Sequence, residues 1–279
     1  MRPTRGAGTA AVIGRPIDHS LSPLIQTTWL DAAGIAGRYV ALAPGDPDEL
    51  FALLDSGDLV GCNVTAPYKG DAFAWAEQRG LALGAAARAT GSVNLLILGD
   101  QPRADSTDGM GLVAAIREQA PDHDLSQGPA VVLGAGGAAR AAVQAVLAEG
   151  CSQVRVVNRT LARAQALADR MGMGVSAWPW EAIGTALDGG RLVINATTRI
   201  EPPDLTPVAP DAVVLDMSYR PLETPLLAVA RTLGLRPVDG LAMLIGQARP
   251  SFTALFGQPV PEVDVRSVCL RALEEERCG

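Results

Sequence analysis

Short apolar runs alternate with longer segments whose apolar positions recur at helical spacing, and the alternation continues along nearly the whole chain. TAAVIG predicts a strand. Ser22-Pro23 then opens a helix to about Gly34, with the serine as N-cap and the proline at N1. RYVALA predicts a second strand, and DPDELFALLDSG a helix capped by Asp46, with Pro47 at N1 and Glu49 at the capping-box position. LVGCNVT predicts a third strand. Thr65 stands where an N-cap belongs, and the helix beginning near Pro67 carries Lys69 one turn in. SVNLLIL predicts a strand, GDQPRA a turn, and TDGMGLVAAIREQA a helix with Asp108 near its start.

Past the polar stretch PDHDLSQGP the pattern restarts. PAVVLGAGGAARAAVQAVLAEG reads as strand, glycine-rich turn and helix; QVRVVNR and LARAQALADRMG as strand and helix. RLVINAT and AVVLDMSY predict two more strands, TPLLAVARTLGL a helix, RPVDG a short strand, and two helical segments finish the chain. Strands separated by helices of this length imply parallel sheets with right-handed crossovers. The expected fold class is therefore α/β, with two α/β domains.

At 279 residues, 48% hydrophobic and 19% charged, the chain can bury a sizeable core. A net charge of −7 with no basic block argues against nucleic acid and against an anionic membrane surface as partners. An anionic ligand would therefore need positive groups placed locally. Cys62, Cys151, Cys269 and Cys278 form no C-x-x-C pair, and His19 and His123 stand apart from them. No metal site or disulfide framework is expected, and a reducing, cytoplasmic setting is. The opening MRPTRGAGTAAVIGR has too short an apolar run for a signal peptide, and no stretch reaches the ~18 apolar residues of a membrane helix.

The turn Gly134-Ala135-Gly136-Gly137-Ala138-Ala139 follows the strand AVVL and opens a helix. Gly134 permits a tight turn, Gly136 lets backbone approach a pyrophosphate, and small Ala139 packs helix on sheet. A purely structural turn or another nucleotide would use the same glycines; the strand–turn–helix context favours a dinucleotide. An NAD site usually offers Asp or Glu at the end of the next strand to the ribose 2′-hydroxyl. Here Asn158-Arg159-Thr160 stand there, with Arg163 one turn on and no acid. A carboxylate repels a 2′-phosphate, whereas a guanidinium binds one with two charge-assisted hydrogen bonds, so NADP is expected over NAD. Thr197, ending RLVINAT, is placed in the cofactor set as well.

Ligands of open α/β sheets lie beyond the carboxyl ends of the strands. Ser20 and Ser22 follow the first strand, Asn63 and Thr65 end the third, Asn94 lies on SVNLLIL, and Thr107-Asp108 precedes a helix. Hydroxyls beside helix N-termini suit a carboxylate, because backbone N–H groups point the same way. Lys69 is the odd member: a cation near the positive end of a helix is disfavoured by roughly 0.3–1 kcal/mol. With the carboxylate of Asp108 at the next helix start, the two form a candidate acid–base pair that shares a loosely held proton.

The stretches SLSP (Ser20 to Pro23), NVTAPYK (Asn63 to Lys69), GSVN (Gly91 to Asn94), TDG (Thr107 to Gly109), GAGGAAR (Gly134 to Arg140), NRT (Asn158 to Thr160), LDMSY (Leu215 to Tyr219) and GLAMLIGQ (Gly240 to Gln247) resemble the shikimate dehydrogenase family along almost the whole chain. SLSP together with NVT-x-P-x-K is highly specific. The resemblance implies a substrate-binding catalytic domain over residues 1–108, completed by C-terminal helices over 241–279, and a Rossmann-type NADP-binding domain over 109–240. It implies that Ser20, Ser22, Asn63, Thr65, Asn94, Asp108, Tyr219 and Gln247 surround a cyclic hydroxy- or keto-acid. Lys69 and Asp108 would transfer the proton, and Met217 and the backbone at Gly240 would flank the nicotinamide.

The implied reaction is the reversible, NADPH-dependent reduction of 3-dehydroshikimate to shikimate on the route to chorismate, in a monomer or homodimer. A quinate or aminoshikimate dehydrogenase, or a metabolite sensor without turnover, is the alternative. Met243 and Gln247, four apart, are expected on one helix face toward the ligand. The chain departs from the family pattern at Leu95 (commonly Thr), Ser106 (commonly Asn), Gln26-Thr27 (commonly His-Asn) and Pro250, which is expected to kink or interrupt its helix.

Overall fold

The computed structural model describes residues 8–198 and 201–278; part of the N-terminal stretch considered above for targeting, and the side chain of Cys278, lie outside the described part. The chain begins β1 (Thr9–Ile13), α1 (Ser22–Ala32), β2 (Arg38–Leu42), α2 (Pro47–Asp55), β3 (Leu59–Val64) and α3 (Lys69–Gln78). It continues with β4 (Ala82–Leu83), α4 (Ala85–Thr90), β5 (Leu95–Ile97), β6 (Arg103–Asp105), α5 (Asp108–Gln119), β7 (Ala130–Leu133) and α6 (Gly137–Ala148). Then follow β8 (Val154–Asn158), α7 (Leu161–Met171), β9 (Val175–Pro179), α8 (Ile183–Leu187), β10 (Leu192–Asn195), β11 (Val213–Asp216), α9 (Pro225–Thr232), β12 (Arg236–Val238), α10 (Gly240–Phe256) and α11 (Val265–Cys278). Two compact units result: the chain through Thr107 together with the segment from Gln247 onward, and Asp108–Gly246. The polar stretch 121–129 thus lies inside the second unit and is no boundary. Among the described residues no helix is long and apolar enough to cross a membrane.

The first unit holds a six-stranded sheet of order β2-β1-β3-β5-β6-β4. It is parallel except at β5, which runs antiparallel to both β3 and β6. The segment GDQPRA is therefore not simply a turn: Arg103 and Ala104 pair with Ile97 and Leu96 in a hairpin. One face of the sheet carries Ala11, Ile13, Cys62, Val64 and Leu96 against Leu50 and Leu54 of α2, Ala72, Trp75 and Ala76 of α3 and Ala87 of α4. Burial pushes the Cys62 thiol up to about 12, so it stays neutral in that core. The helix α2 starts as its sequence demands: Asp46 accepts from the Glu49 N–H at 2.9 Å. The Glu49 carboxylate reaches back one residue further than a capping box, to the Gly45 N–H at 2.6 Å.

The opposite face is built for close approach. The strand registers set Tyr39, Ala10 and Gly61 abreast across β2, β1 and β3. A Cβ on Gly61 would lie 2.6 Å from Leu255 Cδ2 of α10 and against the Leu96 carbonyl oxygen. The missing side chain is what lets α10 descend onto the sheet. Trp29 of α1 meets Phe252 edge-on at 5.7 Å between ring centroids, and Phe252 in turn packs on Phe256 at 5.2 Å. Pro250 does not interrupt α10, which runs unbroken from Gly240 to Phe256. Only the hydrogen bond to the Gly246 carbonyl is forgone, and side chains of the first unit hold the turn around it through Gln247, Ala248 and Ser251.

The second unit is an all-parallel sheet of order β12-β11-β10-β7-β8-β9, the doubly wound Rossmann arrangement, with its switch point between β7 and β10. One apolar cluster joins Val132, Val154 and Ile194 to Leu112 and Ile116 of α5 and to Ala142 and Val146 of α6. A second joins Val131, Leu133 and Val193 to Leu187 of α8 and Leu226 and Leu227 of α9. Met243 packs in the first of these and is 8% exposed. Four further elements that sequence periodicity did not reveal, β4, α4, β9 and α8, are short or only half buried.

Gly61→Ala is expected to lower the unfolding free energy by roughly 1–3 kcal/mol, the usual effect of overpacking a filled core, as read from the urea midpoint at constant m.

Candidate active site

The helix starts near the predicted site differ from expectation, and the differences place the polar groups. Leu21, not Ser22, is the N-cap residue of α1, and Ser22 is its first helical residue. Ser20 does the capping from two residues before, its Oγ accepting the Ser22 N–H at 3.2 Å. Thr65 is not an N-cap either. Its N–H continues the sheet by donating to the Ile13 carbonyl at 2.8 Å, and its own carbonyl accepts from Tyr68 N–H at 3.0 Å in a tight turn. Because Thr65 is still held by β1, the helix starts only at Lys69, which is its first residue. Lys69 is half-buried, and its carbonyl accepts from the Val93 N–H at 3.0 Å, beside Asn94.

Asn94 lies just before β5 and not on it. It reaches the same sheet edge as Asn63 because β5 is reversed: the amino end of an antiparallel strand meets the carboxyl end of β3. The Val64 N–H donates to the Asn94 carbonyl at 2.9 Å, and the Asn94 N–H to the Asp105 carbonyl at 3.1 Å.

Around these two asparagines is a buried network of amides and hydroxyls. The Asn63 Oδ1 accepts from the Tyr39 hydroxyl at 2.8 Å. Its Nδ2 donates to the Asn94 carbonyl at 3.0 Å and to Ser251 Oγ at 2.9 Å. The Asn94 Nδ2 donates to Thr107 Oγ1 at 3.1 Å and to Gln247 Oε1 at 3.0 Å, while its Oδ1 accepts the Thr107 N–H at 2.7 Å. With Oε1 engaged, Gln247 has its amide NH₂ to offer a ligand. Thr107 itself precedes Asp108, the buried first residue of α5. Of the residues expected to bind a cyclic acid, the first unit brings together Asn63, Asn94 and Gln247 through direct hydrogen bonds. Ser20, Ser22 and Thr65 occupy the segments that follow β1 and β3. Asp108 and Tyr219 belong to the second unit. Tyr39 and Ser251 were not singled out from sequence; a tyrosine within an ordinary strand and a serine within a helix carry no local signal.

In the second unit, Gly134 has a φ of 111°, a conformation that side chains other than glycine's rarely adopt. Gly136 is the N-cap of α6 without any side-chain hydrogen bond, and a Cβ built on it meets nothing within 4 Å. An uncapped helix start facing open space behind a Gly-Ala-Gly-Gly-Ala turn (Gly134 to Ala138) suits a phosphate or pyrophosphate. At the end of β8, Arg159 and Arg163 are exposed, and among the described residues neither is in a salt bridge. Asn158 Nδ2 donates to the Thr160 carbonyl at 2.9 Å, closing the turn that presents them.

Thr197 is fixed by Asn195, whose Oδ1 accepts both its N–H at 3.1 Å and its hydroxyl at 2.8 Å. The loop of Met217 and Tyr219 is held by buried Asp216, which accepts from the Ser218 N–H at 3.0 Å and the Thr224 hydroxyl at 2.8 Å. Gly240 lies so near that a Cβ there would come 2.6 Å from the Met217 carbonyl oxygen, so only glycine fits.

These features define an α/β protein with a Rossmann-type dinucleotide-binding unit and a second, mostly parallel unit bearing a cluster of hydroxyls and amides at one sheet edge. Two family models match the chain: the shikimate dehydrogenase substrate binding domain over residues 12–96, and shikimate / quinate 5-dehydrogenase over residues 116–203. A relative from Caulobacter vibrioides, named shikimate dehydrogenase (NADP(+)), is 44% identical over 283 residues, covering 98% of each chain. One of the same name from Mesorhizobium japonicum is 45% identical, covering 95% of this chain and 96% of the relative. Shikimate 5-dehydrogenase from Thermus thermophilus, solved with NADP(H) and shikimate, superposes with a TM-score of 0.83 at 31% identity, over 95% of this chain and 99% of that one. Quinate dehydrogenase from Corynebacterium glutamicum, solved with NAD, gives a TM-score of 0.83 at 27% identity, over 95% and 99%. The chain belongs to the shikimate dehydrogenase family.

Proposed function

We propose that this protein is an NADP-dependent shikimate dehydrogenase, an oxidoreductase that interconverts 3-dehydroshikimate and shikimate. The observation that carries the reading is the end-to-end match to relatives of that name, in a chain that keeps Lys69, Asp108 and the hydroxyls of Ser20, Ser22 and Thr65. NADPH, when bound, supplies the hydride for the ring C3 carbonyl. The residues that would hold it are the Gly134-to-Ala138 turn with the α6 N–H groups at the pyrophosphate, Asn158, Arg159, Thr160 and Arg163 at the 2′-phosphate, and Thr197, Met217 and Gly240 toward the nicotinamide.

The substrate carboxylate is taken by the Ser20 and Ser22 hydroxyls, and ring hydroxyls by Asn63, Thr65, Asn94, Tyr219 and Gln247. Lys69 and Asp108 supply the proton that the developing alkoxide needs. An acid at the end of β8 would repel the 2′-phosphate, and none is present there, which supports NADP over NAD. Residues 1–108 with 241–279 are proposed to form the substrate domain and residues 109–240 the NADP domain. A cytoplasmic location accords with three buried, unpaired thiols, Cys62, Cys151 and Cys269. The assembly is proposed to be a monomer or homodimer.

Absorbance at the nicotinamide band, with 3-dehydroshikimate and NADPH, should show turnover that exceeds that with NADH, and shikimate should be oxidised in preference to quinate. Binding of NADPH with no turnover of either acid would instead indicate a metabolite sensor. Lys69→Ala should reduce kcat by roughly 10²–10⁴, the usual share of general acid–base catalysis, while the Kd for NADPH stays near that of the parent. A Lys69→Ala protein with most of its activity intact would take Lys69 out of the chemistry. Arg159→Ala should weaken NADP⁺ binding relative to NAD⁺ on the order of 10- to 150-fold, the loss of one hydrogen bond between charged groups, as measured by titration of both cofactors.

A further inference from the structure

We infer that Tyr39 and Ser251 are positioning residues for the cyclic acid, acting through Asn63, and that they leave Asn63 able only to accept a hydrogen bond from a ring hydroxyl. The inference rests on the reading above and adds two residues and a direction of hydrogen bonding to it. A primary amide has two donor hydrogens and two acceptor lone pairs. Both hydrogens of Asn63 are committed, to the Asn94 carbonyl at 3.0 Å and to Ser251 Oγ at 2.9 Å. One lone pair of its Oδ1 is committed to the Tyr39 hydroxyl at 2.8 Å. One lone pair remains.

The amide cannot turn over to offer its NH₂ instead. A backbone carbonyl only accepts, so a flipped amide would set Oδ1 against the Asn94 oxygen and lose that hydrogen bond. Ser251 strengthens the choice because its own hydrogen is spent on the Gln247 carbonyl at 3.0 Å, leaving Oγ as acceptor toward Asn63. Through that bond Ser251 also ties Asn63 to the turn of α10 that carries Gln247. Tyr39 reaches Asn63 across β1 because the residue beside it in register is the small Ala10. Asn63 is 7% exposed, so a lone pair left unmatched there is costly and a specific donor to it is rewarded.

The test uses the full-length protein and shikimate itself. Tyr39→Phe removes one donor with little change in volume, and Ser251→Ala one acceptor. Each should raise the Kd for shikimate measured by calorimetry without cofactor, and the KM for shikimate, by about 2- to 12-fold, the weight of one hydrogen bond. The KM for NADP⁺ should stay within about twofold, and thermal midpoints should remain high enough for assay at 25 °C; Tyr39→Phe alone suffices should Ser251→Ala unfold. With shikimate analogues lacking the C4 or the C5 hydroxyl, the Tyr39→Phe penalty should vanish for the one whose missing hydroxyl met Asn63 and persist for the other. An active parent whose Tyr39→Phe variant binds shikimate unchanged would overturn the inference while leaving the activity reading intact. A penalty of equal size with both analogues would overturn it too, since that is what a general loosening of the first unit produces.

Discussion

The side chain of Asn63 is buried on a sheet face, and every polar atom it carries must be matched there or left at a penalty of about 1–3 kcal/mol each. How it is matched determines much of the first unit. Its partners come from β2, from the residue preceding β5 and from α10, segments far apart in the chain. Satisfying one amide therefore fixes the lateral position of an edge strand, the register of a reversed strand and the seating of a helix. Gly61, two residues earlier on the same face, removes the obstacle to that helix, and the aromatic contacts of Phe252 with Trp29 and Phe256 supply apolar burial beside the polar bonds. Polar specificity and apolar adhesion thus act on the same few turns of α10.

The second unit solves a different problem. There the groups left unmatched are the first N–H donors of α6, exposed beside a glycine turn with no side chain to cap them. In the first unit Ser20 and Asp46 meet N–H groups at the starts of α1 and α2, whereas the start of α6 suits the proposed pyrophosphate. Around it the protein spends its own polar side chains on holding backbone: Asn195 on Thr197, Asp216 on Ser218 and Thr224, and Asp239 on the first turn of α10 through the Ala242 N–H at 2.9 Å. Gln119 reinforces that last anchor with two hydrogen bonds to Asp239, at 2.8 and 3.0 Å. These carboxylates and amides orient the segments proposed to face the cofactor.

The alternation of strand and helix, the doubly wound unit, the glycine turn and the arginines after β8 were legible directly, because each depends on neighbours within a turn or two. The helix starts at Ser22 and Thr65 misled for the opposite reason. Both residues have the chemistry of an N-cap, but Thr65 is claimed by the ladder to β1, a partner outside the local window, and at Ser22 the nearby Ser20 takes the capping role instead. Met243 and Gln247 share a helical spacing yet end in different surroundings, one in an apolar core and one in a polar network. Pro250 breaks a rule of helix interiors that three side-chain contacts from the first unit outweigh.

What the amino-acid order settled alone was the set of chemical groups and the periodicities that sort them into strands, helices and turns. Those follow from short-range sterics and from apolar spacing, which any stretch of chain displays by itself. The reversal of β5, the reach of Tyr39 over Ala10, and the meeting of Ser251 with Asn63 were decided only by tertiary structure. Each is a bond between groups separated by tens to hundreds of residues, formed because burying them left no water to bond with instead.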